Sequence, residues 1–347
     1  MRDGPFETPE PLTDTTNWYF SDPGVHAWGV WTEKVPGAGE DAEPLCEHHP
    51  SGGVIGVFDG AGGAGGAQAD RDRQDRRRTG AWIASRTAAL AVKEWFRAEA
   101  VGAEVSRSEV ESLETRVGDY LRAMRPRERS RISGSMVRQL PTTMAAVTYR
   151  LEERHVVAHT LWAGDSRVYL LSPQDGLMAL TRDHTEEQDA LAQLREDPPM
   201  DNLLHASGRF RVDSERVDLR QPCILLCATD GVFGYLPTPH LVELLLLESL
   251  EHSPQPQDLS AEIERRIRSH TGDDATLAAV ALGFADFDEV RSMFRDRLHE
   301  MRREFGGHPP GGTREEERRW CEDAWRRYRG TYESRLSPLR EERDEAR

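Results

Sequence analysis

Four aspartates in this chain stand where a carboxylate can do chemistry: Asp41 in GEDA, Asp59 in GVFDGAGG, Asp230 in LLCATDGVFG and Asp273 in GDDATLAAVAL. Three of them adjoin short apolar runs of strand character, and the four are widely separated in sequence. A carboxylate beside a buried strand is costly to leave unpaired. Several brought together repel one another unless positive charge lies between them. Carboxylate and carbonyl oxygens suit hard cations such as Mg²⁺ and Mn²⁺. The pattern therefore points to a hard-metal site assembled at strand ends. Singly, Asp59 and Asp230 also fit ordinary Asp-Gly turns, so the set carries the reading.

The elements that must position these residues follow from periodicity and turn signals. Aromatics and valines between Trp18 and Lys34 predict one or two strands around a turn at SDPG. Residues 52–58 read as a buried strand ending at Asp59. The Gly-rich turn and mixed-charge run after it read as a solvated loop or helix entry, because Asp and Arg largely cancel. Amphipathic helices are predicted near 80–99 and 106–124, the second with a Ser106/Glu109 capping box. Short strands follow at 142–149, 155–163, 166–172 and 177–181. A helix is predicted at about 185–195, with Asp183 and His184 at its cap. Strands return near 210–219 and 222–229, then helices at 238–251 and 258–270, and a last strand at 275–282. His48 and His49 in CEHHP read as a solvated loop. This order does not alternate as βαβ, and it predicts antiparallel sheets covered by helices, an α+β layered domain.

With 347 residues the chain has room for one large domain or two smaller ones. A formal net charge of −16 argues against nucleic acid or an anionic membrane as a partner. Arginine carries nearly all the positive charge, since Lys34 and Lys93 are the only lysines; this reads as GC-rich genome composition. Cys223 and Cys227 fall on one face of a predicted strand but roughly 13 Å apart, too far to bridge. With Cys46 and Cys321 they read as free thiols of a reducing compartment. The N-terminal MRDGPFETPEPL lacks the basic and apolar regions of a signal peptide. The longest apolar run, Leu244 to Leu247, is far too short to cross a bilayer. A cytoplasmic location is expected.

The ordered series GEDA, VFDGAGG, PTTMAAVTY, LWAGDSRVYLL, LTRDHT, LLCATDGVFGYL and GDDATLAAVAL resembles the metal-dependent serine/threonine protein phosphatases of the 2C type, from about residue 25 to 283. The resemblance implies a four-layer α-β-β-α sandwich with two antiparallel central sheets, and a binuclear Mn²⁺ or Mg²⁺ centre at one end of it. Asp59 would bridge the two ions and the Gly60 carbonyl would ligate one. Asp230 and Asp273 would complete the other, and Asp41 would act mostly through water, supported by Glu40. Asp274 adjoins this set as a supporting carboxylate. Asp165 matches the position linked to a third, weaker ion, although GDSR also fits a hairpin turn. The paired ions would activate water for in-line attack on phosphorus, so no cysteine nucleophile is expected.

The chain departs from the family pattern in two places. The arginine that grips substrate phosphate, four residues before the Glu of the Glu-Asp pair, is replaced by Pro36. Lys34, Arg209 and Arg211 are candidate substitutes, and a lysine lacks the bidentate grip of a guanidinium. Ala61 stands where eukaryotic members carry a histidine, as is common in bacterial members. The expectation is a bacterial phosphatase acting on phosphoserine and phosphothreonine in proteins. A pseudophosphatase that holds a phosphoprotein without turnover is the alternative, motivated by Pro36. The division expected is a lead-in at 1–17, the phosphatase domain at 18–283 and a charged helical extension at 284–347. Helices at 286–305 and 313–336 would form a dock for a kinase or regulator, or pack back on the domain. If they are a dock, deleting 286–347 should abolish capture and spare activity on a small substrate.

Overall fold

The computed structural model describes residues 17–62, 68–71, 77–125, 139–196, 198–306 and 312–336. Two antiparallel sheets stack face to face. The first comprises β1 (Asn17–Asp22), β2 (Val25–Thr32), β9 (Arg167–Ser172), β10 (Gly176–Ala179), β12 (Cys223–Ala228) and β13 (Ala275–Leu282), in the order β1-β2-β13-β12-β9-β10. The second comprises β3 (Leu45–His49), β4 (Gly52–Val57), β7 (Met144–Leu151), β8 (His155–Ala163) and β11 (Asp213–Arg220), in the order β11-β8-β7-β4-β3. A small hairpin, β5 (Gln68–Arg71) with β6 (Arg77–Thr79), stands apart. The architecture is the α+β sandwich expected.

Strand alternation builds the layers. Along β13, Ala278, Val280 and Leu282 enter the core between the sheets, while Leu277, Ala279 and Ala281 face the helices. In β12, Cys223, Leu225 and Cys227 point inward and Ile224 and Leu226 outward. Period-two alternation with both faces covered explains why these strands read as continuous apolar runs. The two cysteines share a face and remain free thiols.

Helices α1 (Gly80–Trp95) and α2 (Arg107–Ala123) cover the five-stranded sheet. Thr79 caps α1, its hydroxyl accepting from the Trp82 amide at 3.1 Å. Ser106 and Glu109 form the expected capping box on α2. The six-stranded sheet is covered by α5 (His240–His252), α6 (Pro256–Arg268), α7 (Phe287–Met293), α8 (Arg295–Phe305) and α9 (Arg314–Tyr332), with α3 (Ala190–Arg195) and the single turn α4 (Asp230–Phe233) alongside. The apolar faces of α7, α8 and α9 share one core with that sheet: Phe287, Phe294, Met301, Trp325, Tyr328 and Tyr332 are buried in it. Those faces are thus occupied by the chain itself. Among the described residues no helix is long and apolar enough to cross a membrane.

Five expectations need correction. The helix expected from 185 begins only at Ala190, capped by Asp189, whose carboxylate accepts from the Leu191 and Ala192 amides. Upstream, Thr185 donates to the Glu187 carbonyl and the Asp189 amide donates to the Glu187 side chain, bonds that compete with a helical turn. Asp183 and His184 are therefore not caps: Asp183 pairs with Arg167, and His184 lies within hydrogen-bonding distance of Asn202, Asp213 and the Gly164 amide. CEHHP is no solvated loop, because Leu45–His49 pairs with β4 and the His48 ring meets the Tyr149 hydroxyl at 3.1 Å. The helix expected over 286–305 breaks at Phe294, which turns in to meet the Phe284 ring at a tilt, 6.2 Å between centroids. The charge run after Asp59 carries the β5–β6 hairpin. Residues 1–16 of the lead-in and the tail from 337 lie outside the described residues.

His240, at the start of α5, is packed among Phe305, Trp320 and Tyr328 at ring separations of 5.0, 5.5 and 6.0 Å. Burial, aided by the nearby Arg327 charge, pushes its pKa from 6.5 down to about 4. The unfolded chain therefore binds this proton more readily, and stability falls as pH drops from 6.5 towards 4, by about 3 kcal/mol from this group. Replacing His240 with Leu should flatten that part of the stability-against-pH curve measured by urea unfolding. An unchanged slope would remove His240 as its cause.

Candidate metal centre

The strand registers bring the selected aspartates to one rim of the sandwich. Thr32 at the end of β2 pairs with Ala275 at the start of β13, and Ala228 at the end of β12 pairs with both Leu277 and Arg167. In the other sheet Val57 at the end of β4 pairs with Ala145, and Met144 pairs with Ala163 at the end of β8. Asp41, Asp59, Asp165, Asp230 and Asp273 all lie in the segments that leave or enter these strands at that edge.

Each is held by identifiable contacts. Asp41 is buried, and its Oδ2 accepts from the hydroxyls of Thr229 and Thr276, both at 2.9 Å. The Asp59 carbonyl accepts from the Thr143 amide at 2.8 Å and the Thr142 hydroxyl at 2.6 Å. Thr143 in turn meets the Ser166 hydroxyl at 2.6 Å, tying the Asp59 and Asp165 turns together. Asp230 opens α4, and Asp273 receives the Asp274 amide and lies 3.5 Å from the Tyr235 hydroxyl. Asp274 accepts from the amides of Lys34 and Glu40 at 2.8 and 2.6 Å, fastening the loop that carries Glu40 and Asp41. Glu40 accepts from Thr79.

The electrostatics follow from this crowding. Burial pushes Asp41, Asp59, Asp165 and Asp230 well above the usual carboxylate range, and their mutual repulsion adds to it. Asp59 is the hub: it feels the charges of Asp41 and Asp165 and is in hydrogen-bonding reach of Asp230 and Asp41. Asp273 bears on Asp230, and Asp274 on Asp41. Burial also raises Glu40, with Asp274 and Asp273 contributing. Among the described residues no three acidic, imidazole or thiol side chains close as a finished ligand shell. The donor set nonetheless fits hard divalent cations: it is all oxygen, it is short of positive charge, and Asp165 Oδ1 is buried without a partner.

Backbone approach is close at two glycines. A Cβ on Gly60 would lie 2.7 Å from the Glu40 carbonyl and 2.8 Å from that of Ala81. On Gly231 it would lie 1.8 Å from the Asp274 carbonyl. Gly231→Ala must therefore push the Asp230 turn away from the Asp273–Asp274 segment. It should cost about 3 kcal/mol in thermal or urea unfolding, and a variant that melts like the parent would contradict the packing.

The basic residues singled out from sequence are not gathered here. Lys34 is exposed and contributes its backbone amide. Arg209 lies on an exposed loop, and Arg211 pairs with Asp201 and Asp213. Two arginines that sequence reading passed over brace the Glu40–Asp41 loop instead. Arg78 donates to the Gly37 carbonyl at 2.9 Å and stacks 4.3 Å over Trp82. Arg86 stacks on the same ring, reaches the Glu40 carbonyl at 3.3 Å and pairs with Glu43 at 3.6 Å. Their signal in sequence is slight: Arg78 ends a charge run and Arg86 sits inside an apolar helix.

A family model described as protein phosphatase 2C matches residues 40–280. No curated protein sequence matches the chain. Among solved structures it resembles PppA, described as a key regulatory component of T6SS in Pseudomonas aeruginosa, at 17% identity and a TM-score of 0.51, covering 74% of this chain and 97% of that one. It resembles the Mycobacterium tuberculosis serine/threonine phosphatase PstP/Ppp at 15% identity and a TM-score of 0.53, covering 75% and 99%. It also resembles MsPP, a PPM Ser-Thr phosphatase of Mycobacterium smegmatis solved with cacodylate, at 16% identity and a TM-score of 0.51, covering 74% and 98%. At these identities the likeness to the structures is one of fold.

Proposed function

This chain belongs to the protein phosphatase 2C family, and from that premise we propose that it hydrolyses phosphoserine and phosphothreonine on proteins with the help of divalent cations. The observation that carries this reading is the rim itself, where Asp41, Asp59, Asp165 and Asp230 are all pushed well above the usual carboxylate range. Asp59, Asp230, Asp273 and the Gly60 carbonyl would hold two ions, with Asp41 and Asp165 beside them. Mn²⁺ or Mg²⁺ bound there would supply charge neutralisation and Lewis acidity towards a phosphoryl group. Thr229 and Thr276 fix which Asp41 oxygen is left to face the rim. Asp274 and Arg86 keep the Glu40–Asp41 loop in register. Burial pushes the thiols of Cys46 and Cys223 up to about 12, so neither offers a thiolate near neutral pH.

The purified protein with Mn²⁺ should release phosphate from p-nitrophenyl phosphate and from a phosphothreonine peptide, and lose that activity on chelation. Absence of release from both would overturn the reading. One observation favours the alternative of a phosphoprotein-binding pseudophosphatase: Pro36 has no guanidinium to offer, Arg211 is engaged with Asp201 and Asp213, and Lys34 is exposed. Calorimetric Mn²⁺ binding without hydrolysis would favour it. Lys34 touches the rim through the amide it donates to Asp274.

A further inference from the structure

Helix α9 lies beyond the segment matched by the family, yet its last turn reaches the candidate centre through a buried relay. Tyr332 is 2% exposed. Its hydroxyl accepts from Arg167 Nη1 at 3.2 Å and lies 3.5 Å from the Tyr169 hydroxyl. Arg167 follows Asp165 by two residues. Its Nε and Nη2 grip the Asp183 carboxylate at 2.9 and 2.7 Å, and Nη2 also donates to Gln193 at 2.8 Å. The guanidinium lies 4.2 Å from the centre of the Phe233 ring, and Tyr169 meets the same ring edge-on at 6.2 Å. Phe233 closes the one-turn helix that Asp230 opens. One guanidinium therefore braces both the turn that carries Asp165 and the turn that carries Asp230, and Tyr332 completes its set of partners. The rest of α9 is pinned nearby: Trp325 Nε1 donates to Asp189 at 3.1 Å, and Arg329 pairs with the same carboxylate at 3.0 Å.

We propose that Tyr332 is a positioning residue for the candidate metal centre, acting through Arg167, so that the C-terminal helix is part of the site rather than an appendage. The inference rests on the metal-centre reading above. Groups that orient ligands from the outer shell govern metal affinity even without touching the ion. Removing the Tyr332 hydroxyl leaves a buried guanidinium N–H without its partner and frees the brace to shift.

The test uses the full-length chain and two tyrosines of the same helix. Tyr332→Phe should weaken Mn²⁺ binding, measured by calorimetry, by roughly ten- to a hundredfold. In metal-free protein it should speed amide hydrogen exchange in the segments 164–168 and 229–234. Tyr328→Phe is the control, because that hydroxyl donates to the Leu177 carbonyl and Glu243 instead. It should leave both readouts at the parent values. Arg167→Lys keeps the charge but not the fork, and should reproduce the Tyr332→Phe pattern, so the idea stays testable if Tyr332→Phe does not fold. Unchanged Mn²⁺ affinity and exchange in Tyr332→Phe, or equal weakening in Tyr328→Phe, overturns the proposal alone. Failure of the parent protein to bind Mn²⁺ overturns the metal reading and this one with it.

Discussion

Asp59→Asn should lower Mn²⁺-dependent hydrolysis of a phosphothreonine peptide by about a thousandfold, or ~4 kcal/mol of transition-state stabilisation, while raising the melting temperature of the metal-free protein. The two effects share one cause. Asp59 is the carboxylate that feels Asp41 and Asp165 and bonds towards Asp230. Making it neutral removes the hub of the proposed cation site. It also relieves a crowd of like charges that burial has already made costly to ionise. A merely structural aspartate would give the opposite stability change, because losing its contacts would lower the melting temperature. Equal turnover in the variant and the parent would remove Asp59 from the chemistry.

Removing residues 284–347 should abolish cooperative folding. Phe284, Phe287, Val290, Phe294, Leu298, Met301, Trp325, Tyr328 and Tyr332 are all buried in the core against the six-stranded sheet. At about 1.5–3 kcal/mol for each such side chain, their loss exceeds ~10 kcal/mol, against a net stability of ~5–15 kcal/mol for a typical domain. The buried Glu243 would also lose Arg297, which pairs with it at 2.6 Å, and Tyr328. Circular dichroism and limited proteolysis would check this. A truncated chain that melts cooperatively and hydrolyses p-nitrophenyl phosphate like the parent would show the helices to be dispensable. Reading the helices as a dock predicts that spared activity, but the apolar faces a partner would need are already covered.

Much of the sandwich was legible because its strands are apolar runs bounded by turn residues. Strand β13 has the expected limits, 275–282, and the α2 capping box reads directly from Ser106 and Glu109. Strand β3 was hidden because LCEHH has no apolar alternation; it is a strand by virtue of its pairing with β4. The late start of α3 depends on bonds among Thr185, Glu187 and Asp189 that no periodicity reveals. The aspartates of the rim could be selected from sequence because they stand in short motifs beside strands that follow one another in a recognisable order, whereas Arg78 and Arg86 could not. Their roles depend on which loop and which ring lie across from them. The same holds for Tyr332: an amphipathic helix announces that it has a buried face and not what that face will touch.

Asp230 and Asp273 flank strands of one sheet, Asp59 leaves the other, and Asp41 and Asp165 sit on crossings between them. An ion held among these groups would rivet one layer to the other, much as a reversible crosslink would. Rivets of that kind slow the shearing apart of stacked layers, and slower unfolding lengthens survival among proteases. Cation supply would then govern how long the molecule lasts, and starvation for the ion would clear the protein as well as silence it.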